Sequence, residues 1–93
     1  MGFRVLWLSA TEEALTLLWL DESIRTDVTR AADEIDRRLR RNPDQEGESR
    51  PAGRRILFVS PLAVTYKVFP DENLVVVSDV WRVRKTRGPN GSR

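Results

Sequence analysis

Residues 54–83 read RRILFVSPLAVTYKVFPDENLVVVSDVWRV, and this stretch decides the fold. It holds three apolar runs, rich in valine, leucine and phenylalanine, parted by two short breaks. Arg55 to Ser60 is the first run, Ala63 to Phe69 the second and Leu74 to about Val83 the third. Pro61-Leu62 marks one tight connection and Pro70-Asp71-Glu72-Asn73 the other. Proline presets the backbone for a turn, and Asp or Asn side chains bond their own backbone there. Strands joined so closely pair antiparallel, because a parallel return needs a crossover of a dozen or more residues. The stretch therefore predicts a three-stranded meander. On its middle strand Val64, Tyr66 and Val68 alternate onto one face.

Working outward, such a sheet needs an apolar cover, and the sequence before it supplies one. Ile24, Val28, Ala31, Ala32, Ile35 and Leu39 recur at helical spacing, with Arg, Asp and Glu on the opposite face. Asp21 or Ser23 is expected to open this helix. Asn42-Pro43 ends it, since the residue before proline disfavours the helical region. An earlier helix is expected from Ala10 to about Leu20. Ser9 serves as its N-cap with Glu12 completing a capping box, and Ala10, Ala14, Leu17 and Leu18 form an apolar stripe widened by Trp19. Residues 3–8 read as a strand, which joins the sheet most simply at an edge. Residues 43–53 read as a loop by composition.

The predicted order is β-α-α-β-β-β, an α+β domain in which an antiparallel sheet packs against an N-terminal helical hairpin. Residues 1–85 form the single domain, and residues 86–93 are expected to be a basic, disordered tail. Ile24, Val28, Ile35 and Leu39 should pack on Phe58, Val64, Tyr66 or Val77.

The chain has 93 residues, enough for one core. It contains no cysteine and no histidine. Disulfides, thiolate metal sites and cysteine nucleophiles are thereby excluded, together with the commonest general base and zinc ligand. Neither cofactor nor metal is expected. No run approaches a membrane span and no signal peptide is visible, so a cytoplasmic protein is expected. Charge is segregated: residues 82–93 carry five basic groups and no acid. Fourteen of the sixteen cations are arginine, the better bidentate ligand for phosphate. A high-GC genome would enrich arginine as well.

Several local patterns fall in a familiar order. A small polar residue after the first strand is followed by Ala10 and Glu12-Glu13-Ala14-Leu15. The long helix runs out in Asn42-Pro43, with Gly47 soon after. Arg54-Arg55-Ile56-Leu57 opens the next strand, then come Val64-Thr65-Tyr66-Lys67-Val68, Asp71-Glu72 and Val75-Val76-Val77-Ser78-Asp79-Val80. Over roughly residues 3–85 this resembles the RelE/ParE superfamily, the toxins of bacterial type II toxin–antitoxin modules. The resemblance implies a basic toxin neutralised by a cognate acidic antitoxin. It implies one of two actions: ribosome-dependent mRNA cleavage, as in the RelE-like branch, or non-nucleolytic inhibition of DNA gyrase, as in the ParE-like branch. An inactive homologue that keeps the fold is a third reading. Two departures stand out. RelE-like nucleases carry an arginine three residues before the tyrosine of the penultimate strand, where this chain has Ala63. They also carry a Tyr or His near the C-terminus, and this tail has neither.

Cleavage of RNA by its 2′-hydroxyl needs a base, cations for the phosphorane charge and an acid for the leaving oxygen. The resemblance points to Arg54, Arg55, Arg82 and Arg84 as the cations, and Tyr66, the only tyrosine, is a candidate proton carrier if cations stand beside it. Lys67, Trp81 and Lys85 are the candidate nucleic-acid contacts. The same arginines also suit a solvated strand end, and Tyr66 also suits a core position on its apolar face. Asp79 is a possible base, or a carboxylate facing solvent.

Overall fold

A computed structural model describes residues 2–83. Strand β1 (Arg4–Trp7) leads into helix α1 (Ser9–Trp19), and a short turn leads to helix α2 (Arg25–Arg41). A two-residue strand, β2 (Glu48–Ser49), precedes the meander of β3 (Arg54–Val59), β4 (Leu62–Phe69) and β5 (Leu74–Arg82). The sheet order is β1-β5-β4-β3-β2. The meander pairs antiparallel as its turns require, and β1 lies at an edge, parallel to β5. The sequence reading lacked β2, which is too short to carry a periodic signal. Tail residues 86–93 lie outside the described residues.

The helices cover one face of the sheet. Val28, Ala31, Ile35 and Leu39 of α2 are buried in one cluster with Leu62, Val64, Tyr66, Val75, Val77 and Val80. Ile24 is only partly buried. Phe58 departs from expectation: it is 50% exposed, because it pairs with Ala63 on the face away from the helices.

The helix starts also differ from the reading. Ser9 is the first residue of α1 rather than its cap, and the Glu12 amide donates to the Leu8 carbonyl. The buried residue of that first turn is Thr11, whose hydroxyl donates to the Val77 carbonyl at 3.1 Å and so ties α1 to β5. Leu17, expected on the packed stripe, is 70% exposed. At the second start, Asp21 accepts from the Ser23 amide and hydroxyl and shapes the turn, while α2 begins only at Arg25. Those two hydrogen bonds, aided by Arg82, hold the Asp21 carboxyl below its ordinary pKa.

One irregularity sets which side chains reach the far face. Thr65 pairs with Asp79 but Tyr66 pairs with Val77, so Ser78 is an extra residue, a β-bulge. Strict alternation would send Asp79 to the same side as Val77, into the core. The bulge shifts the phase, so Val77 and Val80 both face the helices while Asp79 and Trp81 face away.

Candidate functional site

Among the described residues nothing covers the face of the sheet away from the helices, and its side chains fall into rows set by register. Phe58, Ala63 and Trp81 form one row across β3, β4 and β5. Glu48, Ile56, Thr65 and Asp79 form the next, and Arg54, Lys67, Val76 and Leu6 the third. A last row runs Phe69, Leu74, Arg4. Ala63 and Thr65 are buried between larger neighbours, whereas Phe58, Trp81, Leu6 and Phe69 all expose apolar surface.

The third row carries an unusual charge arrangement. Arg54 and Lys67 stand directly opposite each other, both exposed, and neither meets a carboxylate among the described residues. Like charges so placed repel and destabilise a strand pair. The Lys67 ammonium lies 6.0 Å from the Phe69 ring centroid, at the limit of a cation–π contact. By contrast, the arginines of α2 are mostly answered along their own helix: Arg30 pairs with Asp27, Arg37 and Arg38 with Glu34, and Arg40 with Asp36.

The remaining expected site residues lie elsewhere. Arg55, opposite Tyr66, is half-buried and donates to the Glu46 carbonyl at 2.9 Å and the Gly47 carbonyl at 3.2 Å. Tyr66 is fully buried, and its hydroxyl lies 2.9 Å from the Pro43 carbonyl and 2.6 Å from that of Glu46. Burial raises its pKa above the ordinary value, with Arg55 pulling the other way. Together the two residues clasp the 43–47 loop onto the sheet. A buried phenol held by carbonyls in this way fits a loop anchor. Arg82 pairs with Leu62 in register, on the helix side, and its guanidinium sits 3.8 Å from the Asp21 carboxylate. Arg84 and Lys85 lie outside the described residues.

The structure thus puts Arg54, Lys67 and Trp81 of the expected set on one face, with Trp81 two rows and roughly 13 Å along from the opposed cations, and parts them from Arg55, Tyr66 and Arg82 by the thickness of the sheet. Sequence reasoning missed Phe58, Phe69 and Arg4 on this face. The signal for Phe58 was available, since strict alternation from Leu57 separates it from the packed side. The bulge at Ser78 had no such signal.

Comparison with solved structures agrees with this architecture. The chain superposes on a toxin–antitoxin complex, RelBE2 of Mycobacterium tuberculosis, with TM-score 0.69 and 20% identity, over 88% of this chain and 92% of that one. It matches the chromosomal ParDE system of P. aeruginosa with TM-score 0.68 and 16% identity, over 88% and 97%. The isolated E. coli RelE toxin matches with TM-score 0.55 and 11% identity, over 95% and 92%. The fold is that of the RelE and ParE toxins. No family model and no curated protein sequence matches the chain. Identities this low establish the RelE/ParE fold, and function has to be argued from the site. Among the described residues no helix is long and apolar enough to cross a membrane.

Proposed function

We propose that this chain is the toxin of a type II toxin–antitoxin pair and that it acts on RNA through the open face of its RelE/ParE-like sheet. The observation that carries the reading is the opposed Arg54–Lys67 pair, on the same face as the exposed aromatic side chains Phe69, Phe58 and Trp81. Two facing cations without a carboxylate cost stability, and an anion between them turns that cost into binding. A phosphate group supplies the anion, and Trp81, Phe58 and Phe69 offer faces on which bases stack. If the action is that of the RelE-like branch of the resemblance, the outcome is cleavage of message in the ribosome.

The partner is an acidic antitoxin. It neutralises the cations of the open face and covers the apolar side chains around them. The solved complexes that share the fold support this pairing.

A ParE-like, non-nucleolytic inhibitor of gyrase is the second reading. Ala63, which stands where the nucleases carry an arginine, and the burial of Tyr66 favour it. Inducible expression separates the two, with translation and DNA supercoiling followed in parallel. Early arrest of translation with cleaved message supports action on RNA. Normal translation with altered supercoiling moves the protein to the second reading. Harmlessness alone, with no complex formed by an adjacent acidic gene product, rejects the toxin role.

A further inference from the structure

Asp79 is an exposed carboxylate at the end of its row on this sheet face, just beyond the last pairing of β1 with β5 at Trp7 and Val77. Aspartate is a poor strand former. The described residues give it no hydrogen-bonding or ionic partner. It reaches this face because the bulge at Ser78 turns it out of the core, and bulges are often found where a side chain must be re-aimed. Its surroundings are specific. Trp81 follows two positions along β5, on the same face and 38% exposed, and Phe58 lies beyond Ala63 in the Trp81 row. The Arg54–Lys67 row lies on its other side, two β4 residues along from Thr65, which is roughly 7 Å.

A carboxylate only accepts hydrogen bonds, and its two oxygens match two parallel donors. Among the four bases of RNA, only guanine offers two adjacent donors on its Watson–Crick edge, N1–H and N2–H₂. Uracil has one donor between two carbonyls that repel a carboxylate. Adenine and cytosine each set a lone-pair nitrogen beside their amino group. Such an edge is accessible only when the base is unpaired.

We propose that the open face reads an unpaired guanine in single-stranded RNA. Asp79 accepts from the guanine N1–H and N2–H₂, Trp81 and Phe58 supply the stacking surface, and Arg54 with Lys67 hold a neighbouring phosphate. This rests on the RNA reading above and adds to it a base preference that neither cations nor aromatic rings supply, since phosphates are common to all sequences and every base has a stacking face.

The test uses the full chain and fluorescein-labelled heptauridylates whose central base is U, G, A, C or hypoxanthine, with binding followed by anisotropy. The central-G heptamer should bind about tenfold or more tighter than the central-A one, the scale of a bidentate base contact. Hypoxanthine, which lacks the N2 amine, should fall between. Asp79→Asn and Asp79→Ala should remove the preference for G while the all-U heptamer binds at least as well. Arg54→Ala and Lys67→Ala should weaken all five alike. Circular dichroism checks that each variant is folded. Equal binding of all heptamers by the wild type, or a preference that survives both Asp79 variants, overturns guanine reading and leaves RNA binding standing. If no heptamer binds at low salt, both fall.

Discussion

Replacing Tyr66 by phenylalanine separates a structural hydroxyl from a chemical one. The ring is fully buried, and its hydroxyl is the hydrogen-bond donor shared by the Pro43 and Glu46 carbonyls. Pro43 is itself among the fully buried side chains, so water replaces the lost donor poorly. Leaving a buried acceptor unsatisfied costs about 1–3 kcal/mol. For a domain of this size each kcal/mol is worth roughly 4–8 °C in Tm. Tyr66→Phe should therefore melt earlier by at least about 4 °C, and urea titration should show the same loss with an unchanged slope. The pH dependence gives a second arm. Because burial raises the folded-state pKa, the unfolded chain loses its phenol proton first as the solution becomes alkaline. The stabilisation is complete below the unfolded value of about 10 and declines as pH climbs toward the folded one. The variant should lack that alkaline decline. Growth inhibition, measured at a temperature where the variant stays folded, should be retained. A variant as stable as the wild type would refute the clasp, and a folded variant without toxicity would return Tyr66 to the chemistry.

The other substitutions divide the molecule by face. Ile35→Ala should destabilise by about 2–5 kcal/mol in urea titration, because the side chain is fully buried between α2 and the sheet. Gly47→Ala should cost more than about 1 kcal/mol: the residue holds a positive φ of 69°, and an added Cβ would meet the Ile56 carbonyl oxygen at 2.5 Å. Arg54→Ala should abolish toxicity with little change in Tm, whereas Arg55→Ala should lower Tm by freeing the 43–47 loop. If both arginine variants lose toxicity without losing stability, the assignment of Arg55 to the clasp is wrong. Arg82→Ala should leave the Tm nearly unchanged, since its contact with Asp21 is exposed and long.

The local code was legible wherever it was repetitive. Proline and acidic turns around two valine-rich runs determined the meander, and spacing from Val28 to Leu39 determined α2 and its buried stripe. The absence of histidine and cysteine bounded the chemistry before any fold was known. What sequence left open depended on contacts between distant segments. Ser9 has the right chemistry for a cap, but Thr11 is the residue that α1 turns toward the Val77 carbonyl. Tyr66 and Lys67 are neighbours in sequence, yet alternation puts one in the core and the other on the open face. Arg54 and Arg55 part in the same way, one toward Lys67 and one toward the loop. Which of the two faces was covered depended on where the hairpin lay. One extra residue at Ser78 then decided that Asp79 and Trp81 stand on the uncovered side. A bulge is a property of two strands in register, and a single strand's sequence does not contain it.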